Sequence, residues 1–189
     1  MMRELRDRLL APLPADTSEL EALINTRRDR FWSRLGGAEN TFRFAYDAIE
    51  AALQFYILRE KYTNGFTFTN STTLFRAYTD DLYRLDQHYR RFQEFARRGN
   101  GLHPLVENIE NAYGGWYLDK LAMAWGKIIE HENLLENWRI DGVKNQYDFY
   151  RSFVRDLSKS AKVYIVISDA LRYECAEELT RELNRDARK

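Results

Sequence analysis

The sequence predicts a mainly α-helical chain: a multi-helix domain over residues 1–160, then, over residues 161–189, the first strand, loop and helix of an α/β domain. Three observations lead there. Apolar residues recur at three- and four-residue spacing from Leu20 to Leu157, the period of a helix with one buried face. Three prolines and nine glycines leave little room for long irregular stretches between these stripes. The pattern then changes at Val163-Tyr164-Ile165-Val166-Ile167, an unbroken β-branched and aromatic run too short for a helix.

Each element has its own signals. Asp16, Thr17 and Ser18 offer caps, Glu19 and Glu21 suit the positive end of a helix dipole, and Leu20, Leu23, Ile24, Phe31 and Leu35 carry a first helix from Thr17 to Leu35. Gly36-Gly37 supplies its stop. A second helix carries Phe42, Ala45, Tyr46, Ile49, Ala52, Leu53, Tyr56 and Ile57 and closes at Asn64-Gly65. The Thr-rich segment Thr67–Thr73 reads as a short extended piece, with Phe66 and Phe68 alternating with Thr, or as the cap of a third helix, whose stripe is Leu74, Tyr78, Leu82, Leu85, Tyr89, Phe92 and Phe95 and whose end is Arg97-Arg98-Gly99. Pro104 opens a fourth, with Leu105, Val106, Ile109 and Tyr113 on its core face. Gly114-Gly115 either kinks it or divides it, and Trp116, Tyr117, Leu121, Trp125, Ile128 and Ile129 continue to about Glu132. Residues 137–142 form a connection, and Tyr147, Tyr150, Phe153, Val154 and Leu157 mark a further helix. After the expected buried strand, Ser168-Asp169 forms a loop, and Leu171, Cys175, Leu179 and Leu183 mark a final amphipathic helix.

Composition excludes several classes. The 189 residues carry 29 Lys plus Arg and 29 Asp plus Glu, a net charge of +0, so no standing positive field coats DNA or an acidic membrane. Hydrophobic residues at 44% supply a core and argue against disorder. One cysteine, Cys175, excludes an internal disulfide and a Cys-based zinc cage. No segment approaches the roughly 18 to 20 apolar residues of a membrane span, and the charged start Met1–Asp7 is no signal peptide. A cytoplasmic chain without a membrane partner is the reading.

Asp169 is the sharpest candidate for chemistry. It stands at the carboxyl end of the expected strand, where open α/β sheets place their sites. A carboxylate there can hold a divalent metal or cap the next helix, and both readings stay open. No glycine-rich phosphate loop follows, and position 171 is Leu, which disfavours a paired-Asp phosphotransferase. Arg172 is placed to meet an anionic substrate or to pair with Asp169; a surface arginine bonded to Glu174 or to solvent is the plainer alternative. Cys175 reads as a small core residue. His88, His103 and His131 lie on separate elements without ligand-like spacing. Tyr89-Arg90-Arg91-Phe92 with Arg97-Arg98 has the look of a basic aromatic nucleic-acid surface, but its aromatics lie on the core stripe and Asp86 and Glu94 dilute its charge. Trp32, Trp116, Trp125 and Trp138 read as core or interface anchors.

The run Lys162–Glu174, centred on Ser168-Asp169-Ala170-Leu171-Arg172-Tyr173-Glu174, resembles the opening motif of the PglZ family, type A: alkaline-phosphatase-like proteins of BREX phage-defence systems. Upstream, Tyr83, Asp86, Tyr89-Arg90, Phe92, Trp116-Tyr117-Leu118, Trp125 and Gln146–Tyr150 are similar to the region before that domain, so the resemblance spans about Phe42 to Leu183. It implies a metal-dependent phosphatase or phosphoesterase fold in which Asp169 binds a divalent metal, usually zinc, and Arg172 belongs to the substrate site. Partners would be other BREX defence-complex proteins and a phosphate ester. The family's nucleophile and remaining Asp and His ligands lie downstream of this motif, so the chain is expected to be a fragment, inactive by itself. A helical module that docks partner proteins is the alternative.

Overall fold

The computed structural model describes residues 2–30 and 40–187. In chain order its α-helices are α1 (Met2–Leu10), α2 (Ser18–Arg28), α3 (Thr41–Lys61), α4 (Ser71–Ala77), α5 (Tyr83–Arg98), α6 (His103–Asn111), α7 (Asp119–His131) and α8 (Tyr173–Asp186). The chain divides into two units: one runs to Phe66 and resumes over Leu82–Ala122, and the other comprises Thr67–Asp81 and the chain from Met123 onward.

The first unit is built around α3. Asn40 caps that helix, its Oδ1 accepting the Phe42 and Arg43 N–H groups at 3.0 Å each. Ala45, Tyr46, Ala48, Ile49, Ala51, Ala52, Leu53, Phe55 and Tyr56 are all buried. Burial on nearly consecutive positions means α3 is surrounded rather than laid on a core, and four alanines keep it slim enough for neighbours to close in. Its most extensive packing is with α5, and α2 and α1 also lie against it. Phe42, expected on the core stripe, is exposed because it stands at the first turn, beyond these neighbours. Gly99, which ends α5, runs against α3: a Cβ there would come within 2.9 Å of the Ala45 backbone nitrogen.

Two further differences from expectation concern this unit. α1 was not foreseen, although Leu5 and Leu9 lie four residues apart and both are buried. The helix expected over Thr17–Leu35 is observed as α2, and Phe31, Trp32, Leu35 and Gly36-Gly37 lie outside the described residues. Gly114-Gly115 neither breaks the helix nor ends it. Residues Ala112–Leu118 widen into a π-helical segment, with Tyr113 and Tyr117 buried.

In the second unit Asn70 caps α4 in a capping box, with the Thr73 N–H reaching Asn70 Oδ1 at 2.8 Å, as the Thr-rich segment led one to expect. The further helix expected through Tyr147 and Leu157 is replaced by short turns: 3-10 at Gln146–Asp148 and Leu157–Lys159, and π-helical at Tyr150–Val154. Only Val154 of the expected stripe is buried; Tyr147, Tyr150, Phe153 and Leu157 are exposed. The unit offers no packing surface to those four side chains, and an amphipathic helix gets most of its stability from such a surface.

The expected strand is likewise not formed. Residues 162–168 have no regular structure, and Val166 and Ile167 are 91% and 90% exposed. A strand exists by pairing its N–H and C=O groups with a neighbour, and no strand lies among the described residues to supply one. The final helix is present as α8, but Leu171, Leu179 and Leu183 on its expected core face are exposed.

Candidate functional site

Asp169 and Ala170 form the turn between the extended segment and α8, with Ala170 in the left-handed region at φ +55°. That conformation is uncommon for a residue with a Cβ. Asp169 is exposed, and among the described residues no hydrogen bond or ion pair to its carboxylate is found. It does not cap α8, which has Arg172 at the N-cap position and no side-chain cap bond.

Arg172 is held by its neighbour. Its Nε forms an ion pair with Glu174 Oε1 at 2.9 Å, with the Arg172 side chain half exposed and Glu174 wholly buried. The first turn of α8 is anchored beside it. The Tyr173 hydroxyl donates to the Thr79 carbonyl at 3.3 Å, and its ring lies 5.7 Å from that of Tyr78. The Cys175 Sγ lies 3.9 Å from Glu174 Oε1 and is partly buried, in keeping with a packing role.

Among the described residues no group of three His, Cys, Asp or Glu side chains converges as a metal cage would require. These residues therefore do not by themselves fit a catalytic metal pair; Asp169 is a single oxygen donor. His88, His103 and His131 remain apart, on α5, α6 and α7.

The first unit contains two polar arrangements that sequence reasoning missed. In one, the Tyr113 hydroxyl donates to Asp86 Oδ1 at 2.7 Å, and the Tyr117 hydroxyl lies 3.2 Å from Asp86 Oδ2 and 3.1 Å from the Leu82 carbonyl. The Tyr89 ring stacks on Tyr113 at 3.7 Å and 4°. A buried aspartate with tyrosine donors is a specifying polar network. Its sequence trace was the i, i+4 pair Tyr113 and Tyr117 combined with a lone Asp on a core stripe. The other is a recess of about 230 Å³ lined by Asp47, Glu50, Ala51, Gln54, His88, Arg91 and Phe95. Arg28 pairs with both Asp47, at 3.8 Å, and Glu50. Burial raises the Asp47 pKa against the pull of Arg28 and Arg43. Burial, with Arg91 and Arg84 nearby, lowers that of His88 to about 4. These groups sit far apart in sequence on α2, α3 and α5, so no motif marks them.

The structure shows helices and a Ser-Asp-Ala-Leu-Arg-Tyr-Glu loop with an exposed carboxylate; comparison with known proteins supplies the class. Across about nine-tenths of its residues, this chain is similar to alkaline phosphatase-like proteins named BrxZ and PglZ. It is 33% identical over 181 residues to "Alkaline phosphatase-like protein BrxZ" of Escherichia coli O9:H4 (strain HS), covering 92% of this chain and 21% of that protein. It is 35% identical over 172 residues to "Alkaline phosphatase-like protein PglZ" of Bacillus cereus (strain H3081.97), covering 89% of this chain and 19% of that protein. The chain thus spans about a fifth of the length of the curated relatives it matches. The resemblance carried by the Ser168–Glu174 motif is borne out. No family model matches the chain, and no solved structure matches it. Among the described residues no helix is long and apolar enough to cross a membrane.

Proposed function

We propose that this chain is the helical lead-in, residues 1–160, and the beginning of the catalytic domain, residues 161–189, of a metal-dependent phosphatase or phosphoesterase in a BREX-type phage-defence system. The observation that carries the reading is the 33–35% identity to two alkaline phosphatase-like proteins across 89–92% of the chain. In the complete, cytoplasmic protein the run Val163–Ile167 enters a parallel sheet, which would cover its apolar side chains and pair its backbone. Asp169 then stands at the carboxyl end of that strand as one ligand of a divalent metal, zinc by preference. A nucleophile and the other ligands come from elsewhere in the protein. Such a metal polarises a phosphoryl oxygen and acidifies the attacking group. Asp169 suits the role because it is exposed and committed to no hydrogen bond or ion pair among the described residues. Arg172 lies three residues on, where its guanidinium can meet a phosphoryl anion.

The test is hydrolysis of a chromogenic phosphodiester by the full-length protein with added zinc, manganese or magnesium. Turnover that disappears with chelator and returns with metal supports the proposal. Metal-dependent turnover by the 189 residues alone would contradict it, since the missing ligands would then not be needed.

A second reading, a helical docking module for other defence-complex proteins, is favoured by one observation. The second unit exposes the large apolar side chains Trp138, Tyr147, Phe149, Tyr150, Phe153 and Leu157, and clustered exposed apolar side chains mark interaction surfaces. Retention of a defence-complex subunit by this chain, lost on Phe149→Ser with Phe153→Ser, would support that role; retention unaffected by both changes would remove it.

A further inference from the structure

The two units differ in how much of their apolar content they bury. Among the described residues of the first unit the exposed large apolar side chains are Leu10, Phe42 and Leu118, far apart in sequence. Scattered exposure of that kind is ordinary. Among the described residues of the second unit the buried apolar side chains are Leu74, Ile128, Leu134 and Val154. Four such side chains make too small a core for a segment of this length, because ordering each backbone residue costs entropy that so little burial does not offset. The side chains that would complete a core are present and face solvent instead. Tyr147, Phe149, Tyr150, Phe153 and Leu157 are 46–69% exposed. Part of this set is already gathered in space, with the Phe149 and Phe153 rings 5.8 Å apart and the Lys144 Nζ 4.7 Å over Phe153.

Three observations bear on what covers this face. The exposure resumes at Tyr164–Ile167, where it reaches 47–91%. Leu157 and Tyr164 are only seven residues apart, so whatever covers the second run lies at most roughly 25 Å of chain from the first. The curated relatives match 89–92% of this chain with only 19–21% of their own length, so most of such a polypeptide lies outside the matched region. A surface on the same polypeptide also meets the face at a far higher effective concentration than a separate molecule does.

We propose that the aromatic face of Tyr147, Phe149, Tyr150, Phe153 and Leu157 is seated on the part of the same polypeptide that lies outside these 189 residues, completing the core of the second unit. The proposal rests on the reading of residues 161–189 as the beginning of a further domain, and not on that domain being a phosphatase. It places the segment before the expected strand inside that domain's packing rather than on a surface left open for another subunit.

The experiment uses the full-length protein, purified without other defence-complex proteins and held at concentrations where light scattering gives a single copy. Tyr150→p-benzoylphenylalanine places a photocrosslinker on the face. Irradiation joins it, within one molecule, to a peptide outside these 189 residues, with a yield unchanged over about a hundredfold dilution because the seat is intramolecular. Hydroxyl-radical labelling of the unsubstituted protein gives a second measurement that no substitution disturbs: labelling of Tyr147, Phe149 and Phe153 is lost relative to the urea-unfolded protein. Crosslinks confined to these 189 residues, or formed only between molecules, overturn the proposal. So does labelling of the three rings at the unfolded rate. Protection that requires an added defence-complex protein overturns it as well and favours the docking reading. The phosphatase reading fails separately: a protected face in a protein without metal-dependent hydrolysis leaves the seat standing, whereas hydrolysis with an unprotected face removes the seat alone.

Discussion

Removing a single oxygen from Tyr113 tests whether the buried polar cluster holds the first unit together. Tyr113→Phe keeps the ring that stacks on Tyr89 and removes only the hydroxyl that donates to Asp86 Oδ1 at 2.7 Å. Asp86 is 4% exposed and Tyr113 8%, so water does not readily replace the lost donor. A hydrogen bond to a charged acceptor contributes about 1.5–3 kcal/mol. The cost is moderated because the Tyr117 hydroxyl remains 3.2 Å from Oδ2. The expected destabilisation is therefore about 2 kcal/mol, which for a chain of this size lowers the melting temperature by roughly 4–8 °C. Urea unfolding followed by circular dichroism measures it, with an unchanged denaturant slope as the check that the unfolding reaction is the same. Asp86→Asn in a double-mutant cycle isolates the pair, and a coupling near zero would show that the two groups are merely adjacent. A Tyr113→Phe change of less than about 0.5 kcal/mol, the range of a neutral surface substitution, would refute the claim that this network specifies the unit.

Two other outcomes follow from the same unit. Gly99→Ala would place a Cβ 2.9 Å from the Ala45 nitrogen and 3.0 Å from its Cα, and backbone atoms cannot rotate away, so a loss of about 1–3 kcal/mol is expected in thermal unfolding. No change would mean that α3 and α5 are not so closely apposed. His88 binds its proton less readily in the fold, with a pKa of about 4 against 6.5, chiefly through burial. Its contribution is complete above pH 6.5 and falls away as pH drops toward 4, by up to about 3 kcal/mol. Unfolding measured between pH 7 and 4 should lose this part of its pH dependence in His88→Gln, and a variant with an undiminished slope would contradict it.

The helical part was legible where local signals and packing agree. The Leu74–Phe95 stripe, the Asn70 cap and the Arg97-Arg98-Gly99 ending each correspond to observed features, because capping and periodicity act within a few residues. Gly99 shows the limit of that grammar. It ends α5 in an extended conformation, φ −89°, and is required by contact with Ala45 rather than by a left-handed turn. Asp86 meets Tyr113 and Tyr117, and Arg28 meets Asp47 and Glu50, only through tertiary packing; the i, i+4 spacing of the two tyrosines hints at the first cluster, and no motif marks the second. Tyr147, Tyr150, Phe153, Leu157 and the run Tyr164–Ile167 read as core positions yet are exposed, since periodicity states what a segment could bury and not whether a surface is there to receive it. At the candidate site the sequence singled out Asp169 and Arg172, and it named the Arg172–Glu174 bond among its alternatives. The complete burial of Glu174 had no sequence signal.

The central claim, that Asp169 is a metal ligand of an alkaline-phosphatase-like phosphoesterase, is tested most directly by the divalent metal content of the purified full-length protein with and without Asp169→Ala. Asp169 is exposed, so its removal should leave unfolding unchanged within about 0.5 kcal/mol. The account predicts that bound metal and phosphodiester hydrolysis fall together in the folded variant. A folded Asp169→Ala protein that retains its full complement of metal and its activity would contradict it.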